Sequence, residues 1–181
     1  MLPPAYAWLA REPGPKMLVE ALKTFGTHET AGAGNNPTIM AWARETGAKG
    51  YTGDSIAWCG LTVSVWALRA GWPHQPKGNA LWALNWATWG NPAAVPMLGD
   101  VLVFQRKLPG GGTAGHVGLY VGEDATRFYV LGGNQKDQVC IVPVEKARLV
   151  AARRAPWRVS QPANVRRVAL SAAGPVSTNE A

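Results

Sequence analysis

The chain has 181 residues, 47% of them hydrophobic and 16% charged, with a formal net charge of +7. That length holds one core without metal or disulfide staples, and the composition argues against a disordered or membrane-embedded chain. The positive charge favours an anionic partner, but only charge speaks for nucleic acid, so no nucleic-acid partner is expected.

The N-terminal stretch MLPPAYAWLAREPG lacks the basic and long apolar regions of a secretory signal, and no apolar run approaches a membrane span. A chain made and folded in the cytoplasm, without an integral membrane segment, is therefore expected. The stretch GPKMLVEALKTFGT carries Met17, Leu18, Ala21, Leu22 and Phe25 at helical spacing, with Pro15 near the start and Gly26 as the stop. After the turn-rich AGAGNNP, a second helix runs from Pro37 to a stop at Gly47. A third is predicted over Ile56–Ala70, capped by Asp54 or Ser55 and ended by Gly71 and Pro73. In NALWALNWATWG, Trp82, Trp86 and Trp89 fall at i, i+4 and i+7, which would gather three indoles on one helical face.

Beyond Pro92 the pattern changes. GDVLVFQRK, HVGLYVGED, RFYVLGGN and QVCIVPVE read as short strands between Gly, Asp and Asn turns, and RLVAARRAPW as a last edge strand. Helices followed by sequential strands predict an α+β fold with an antiparallel sheet. Residues 1–158 form one domain on this reading, and 159–181 a flexible basic tail.

Two cysteines lie 81 residues apart, with no neighbouring Cys or His at metal-ligand spacing, so no metal or cofactor is expected. Cys140, between Val139 and Ile141, reads as a packed strand residue. Cys59 falls in the first turn of its predicted helix. There the backbone N–H groups and the helix dipole favour a thiolate and an oxyanion beside it. Free cysteines are nonetheless most often buried filler, and composition alone favours that reading of Cys59. A nucleophilic thiol needs a base. His28 and His74 sit in loops, whereas His116 opens a strand behind a glycine-rich approach and is the candidate base. Hairpin pairing would bring Asn134, at the end of the next strand, toward His116 as its orienting amide, with Gln135 as the competitor.

Taken in order, AWCGLTVSVWALRAG, PMLGDVLVF, GHVGLYVGE and YVLGGNQ resemble the NlpC-type and CHAP superfamily of cysteine peptidases and amidases, in particular its phage-associated branch. The resemblance covers most of residues 5 to 156. It implies a papain-like fold, with the nucleophile helix packed on the antiparallel sheet. It also implies hydrolysis of an amide bond in the peptide part of peptidoglycan, by an endopeptidase or an N-acetylmuramoyl-L-alanine amidase. By position it makes Cys59 the nucleophile, His116 the base and Asn134 the orienting residue. Asp54, Trp58 and Gln135, which adjoin these three, are candidate substrate contacts. Many CHAP enzymes carry a Glu two positions before that Asn, where this chain has Gly132. The expected role is that of a phage endolysin or virion-associated lysin, acting as a monomer on the cell wall. The basic tail would then meet anionic envelope surfaces. A secreted antibacterial effector with the same chemistry, or a non-catalytic wall-binding or phage-structural module, are the alternatives.

Overall fold

A computed structural model describes residues 1–108, 110–157 and 160–171, and in it helices precede strands as the sequence predicts. The fold is α+β, with N-terminal helices packed against a C-terminal antiparallel sheet. A 3₁₀ segment, Pro4–Arg11, leads into α1 (Lys16–Leu22), α2 (Pro37–Thr46) and α3 (Cys59–Arg69). Helix α2 is closed at both ends by its own sequence. The Asn36 carboxamide oxygen accepts the N–H groups of Thr38 and Ile39, and Gly47 takes the left-handed conformation (φ 67°) that ends it.

Helix α3 departs from the prediction at its start. It begins at Cys59 rather than Ile56, with Trp58 as its N-cap residue and no side chain capping it. Asp54 and Ser55 are therefore not its caps. The reason lies in the preceding loop, where the buried Asp54 has another task. Its Oδ2 accepts the N–H groups of Thr30 (2.8 Å) and Asn36 (2.7 Å), and its own N–H donates to Asn35 Oδ1. The carboxylate pins two loops together, and the helix starts one turn later.

The tryptophan stretch is also corrected. It folds as a 3₁₀ helix over Ala83–Thr88, not as an α-helix. At three residues per turn the buried ridge is Ala83, Trp86 and Trp89, and Trp82 falls off it. Trp86 and Trp89 pack with ring centroids 5.8 Å apart, while Trp82 is exposed.

Six strands form one sheet in the order β1-β6-β2-β3-β4-β5: β1 (Asn91–Pro92), β2 (Val101–Lys107), β3 (Thr113–Glu123), β4 (Arg127–Gln135), β5 (Gln138–Glu145) and β6 (Leu149–Arg154). The two-residue β1 is not foreseen by the sequence reading. It covers the last two residues of β6, the strand predicted to lie at the edge. One face of the sheet (Val101, Val103, Val117, Leu119, Tyr129, Leu131) joins the helices in the main core. The other face carries a separate cluster of Leu102, Phe104, Tyr120, Phe128, Val130 and Val142. Apolar residues on both faces explain why these strands read as near-continuous hydrophobic runs rather than alternating ones.

Residues 160–171 correct the predicted tail. They return across the domain, with backbone hydrogen bonds from Leu98 to Arg166, from Glu123 to Val168 and from Leu170 to Glu123. Arg166 pairs with Glu12, and Arg167 and Lys146 with Glu123. Burial pushes the Glu123 carboxyl up, but hydrogen bonds from Arg167 and Lys146 outweigh it and hold the group below the usual range. Two of the arginines proposed for envelope contact are thus held in ion pairs with this domain. The remainder of the predicted tail, residues 159 and 172–181, and Arg158 lie outside the described residues. Among the described residues no helix is long and apolar enough to cross a membrane.

Candidate active site

His116 and Gln135 form the best-defined polar contact of the site. His116 sits near the start of β3 and is only 2% exposed, and Gln135 at the end of β4 is fully buried. His116 Nε2 lies 2.9 Å from Gln135 Oε1. The direction of this bond follows from the amide's other contacts. Gln135 Nε2 donates to the carbonyls of Cys140 (2.6 Å), Gly132 and Val130, so its oxygen must face the imidazole. The neutral ring then carries its proton on Nε2, which donates to Gln135, and keeps the Nδ1 lone pair on the far side.

The amide that meets the His116 ring is therefore that of Gln135 rather than Asn134, and the backbone explains the exchange. The β3–β4 register places Leu119 opposite Leu131, which in a regular hairpin would set Asn134 opposite His116. A bulge intervenes. The β4–β5 register shifts between Gly132 and Gln135, and Asn134 takes a left-handed conformation (φ 58°). An extra residue in a strand reverses which side chains face which side, so Gln135 takes the direction that alternation would have given Asn134. The hairpin beyond it turns through Lys136 and Asp137, both with positive φ, as a tight two-residue turn of this hand requires.

Cys59 stands at the head of α3 and is 3% exposed. Its surroundings are fixed by Trp58 and Thr62, which flank it in sequence and along the helix face. Thr62 Oγ1 donates to the Trp58 carbonyl at 2.7 Å. Both residues press on Gly133 of β4: a Cβ placed there would lie 2.8 Å from Thr62 Cβ and from the Trp58 ring, and closer still to Thr62 Oγ1. A Cβ on the adjacent Gly132 would lie 3.0 Å from Gln135 Oε1 and 3.1 Å from His116 Nε2. The glycine pair of β4 thus receives the first turn of α3 at one residue and the imidazole–amide pair at the next. Glycine inside a strand signals such close approach, and this signal in LGGNQ is one the sequence reading passed over.

No family model, curated protein or solved structure matches the chain.

The remaining predicted contacts have structural roles. Trp58 is fully buried, 6.3 Å from the Trp42 ring, and its indole N–H donates to Glu29. It offers no exposed face to a ligand. Asp54 is the loop clamp described above. Glu29, which the sequence reading did not single out, ties the loop after α1 to the residue preceding Cys59. Tyr51 donates to the Ile56 carbonyl in the same loop, and burial, with Asp54 and Glu29 nearby, pushes its phenol well above its ordinary value. His28 is exposed and pairs through its backbone with Gln138, and the His74 carbonyl accepts from Ser64. Cys140 lies behind the site. Its thiol donates to the Gln135 carbonyl, and burial raises its pKa above the ordinary thiol value. No disulfide links it to Cys59. Among the described residues, no group of three or more His, Cys, Asp or Glu could hold a metal ion.

The exchange of Asn134 for Gln135 has a direct test. Gln135→Leu should lower any turnover that depends on His116 by about 10³-fold, because the ring loses the acceptor that fixes its tautomer. Asn134→Gly, which retains the left-handed backbone, should stay within about threefold of the parent. The reverse ranking of the two variants in a rate assay would return the orienting role to Asn134.

Proposed function

We propose that the chain is a cysteine peptidase or amidase that hydrolyses an amide bond in the stem peptide of peptidoglycan. The observation that carries this reading is the buried His116–Gln135 hydrogen bond, set at the glycine pair on which the Cys59 turn is packed. A buried imidazole fixed in one tautomer and a cysteine at the head of a helix, each packed at one of two adjacent glycines, are the parts that thiol acyl transfer requires. The choice of peptidoglycan rests on the four-motif resemblance, as do the papain-like character of the fold and the role as a phage lysin.

In this mechanism His116 Nδ1 takes the Cys59 proton, and the sulfur attacks the scissile carbonyl carbon. The oxygen becomes an oxyanion near the N-terminus of α3, where no side-chain cap occupies the first-turn N–H groups. The C–N bond then breaks, and His116 returns its proton to the departing amine. Water, deprotonated by the same imidazole, attacks the thioester, releasing a carboxylate and restoring the thiol. Gln135 takes no part in bond making. It keeps Nδ1 aimed and stabilises the imidazolium formed between the two steps.

Digestion of purified sacculi by the full chain, followed by mass spectrometry of the soluble fragments, tests this reading. Fragments with a new amine and a new carboxyl at one peptide or lactyl-amide position, glycan intact, are expected. New reducing sugar ends, or no fragments from a chain shown to be folded by circular dichroism, would refute it. The same spectra identify which amide is cut.

A further inference from the structure

Nine tryptophans are present, and eight are at least half-buried. Trp42, Trp58, Trp66, Trp86 and Trp89 are 0–3% exposed, and Trp82 is 58% exposed. One exposed indole on a surface needs no explanation by itself. Its place in the fold does.

Residues 80–84 run between the neighbours of both proposed catalytic residues. A Cβ on Gly60, the residue after Cys59, would lie 2.9 Å from the Leu81 carbonyl oxygen and closer to that of Ala80. A Cβ on Gly115, the residue before His116, would lie 2.8 Å from Leu84 Cγ and 3.2 Å from Ala83 Cβ. Trp82 is the middle residue of this bridge. The backbone beneath it is pinned: Trp86 donates to the Ala80 carbonyl, Leu81 N–H to Asn79 Oδ1, and Trp82 N–H to the Asn79 carbonyl. Residues 79–81 also wall a cavity of about 260 Å³ that α3 lines with Leu61 and Ser64. A rigid backbone, an outward indole and adjoining open space describe a pre-organised contact surface.

We propose that Trp82 is the platform on which a saccharide ring of the substrate stacks, at the rim of the Cys59–His116 site. This rests on the peptidoglycan reading above. With the stem peptide at Cys59, the glycan is the part of the substrate that extends beyond it. The apolar C–H face of a pyranose ring matches a flat exposed indole, whose N–H can still donate to a sugar hydroxyl.

The test is binding without turnover. Full-length Cys59→Ala, alone or combined with Trp82→Ala or Trp82→Phe, is sedimented with purified sacculi. Melting temperatures are measured alongside. The alanine double variant should bind about tenfold more weakly at an unchanged melting temperature, and phenylalanine should restore most of the loss. N-acetylglucosamine oligomers should displace Cys59→Ala from sacculi and act far less on the alanine double variant. Equal binding by all three proteins would overturn the proposal. So would displacement by free stem peptide alone, which would make Trp82 a peptide contact. An inactive wild-type chain would refute the hydrolase reading instead, and the binding arms do not depend on that outcome.

Discussion

Cys59→Ala should reduce peptidoglycan hydrolysis to background, a loss of about 10⁴-fold or more, while the chain stays folded. The expectation of so large a loss follows from the division of labour in thiol acyl transfer. Neither the imidazole nor the oxyanion site forms a bond to substrate, so removing the sulfur removes the only group of the chain that does. The structural cost should be small by comparison. The side chain is 3% exposed and alanine lacks only the sulfur, so a loss of about 1 kcal/mol is expected. In a chain of this size that lowers the melting temperature by about 2–4 °C. Cys59→Ser preserves the packing more closely and should be almost as inactive, because a hydroxyl is a far weaker nucleophile than a thiolate. Retention of more than a few per cent of wild-type turnover by the alanine variant would eliminate Cys59 as the nucleophile.

Gly133→Ala should damage both stability and turnover. The φ of Gly133 is one that any residue adopts, so the damage is steric. The added methyl meets Thr62 and the Trp58 ring, and neither can retreat. Thr62 is fully buried and bonded to the Trp58 carbonyl, and Trp58 is fully buried against Trp42. The head of α3 must therefore move off β4. Overpacking of this kind costs about 1–3 kcal/mol, a visible fall in the denaturation midpoint. The same shift carries Cys59 with it, and displacements of about 1 Å at a reacting group cost on the order of 10²-fold in rate. Thr62→Ala removes the nearest obstructing atom, so the double variant should recover part of both losses. Additive losses in the double-mutant cycle would mean that the two residues do not meet.

The architecture was largely legible from composition and order. Helical spacing placed α1 and α2, with Pro37 and Gly47 marking the limits of α2, and the Val-rich runs placed five of the six strands. Two of the failures, Asp54 and the tail arginines, depended on contacts remote in sequence, and a third on the winding of a short helix. Asp54 looked like a cap for the helix beside it, but its partners are Thr30 and Asn36. Trp82 looked like part of a buried ridge because a period of 3.6 was assumed, whereas the segment winds at three residues per turn. Arg166 and Arg167 looked like tail charges because Glu12 and Glu123, which hold them, lie far upstream.

The site divides in the same way. Cys59 and His116 were identifiable as a thiol at a helix start and an imidazole at a strand start, since those are local properties. The choice between Asn134 and Gln135 was not local. It turns on a bulge, and the residue that permits the bulge, Asn134 in the left-handed region, is the one that alternation would have chosen for the orienting role. Position in a motif pointed to Asn134 and Gln135, and the pleat decided which of the two meets the His116 ring.

The Gln135 amide is held by the Cys140 carbonyl, on a strand that lies beyond every residue proposed to act on substrate. That contact orders the site in time as well as in space. A chain growing on a ribosome presents its thiol early and its imidazole some 57 residues later, and the shortest of the three hydrogen bonds that orient the Gln135 amide forms only once β5 has emerged and paired. The His116–Gln135 pair is therefore completed only after the strand that follows it has joined the sheet, so the site is among the last parts of the chain to be finished.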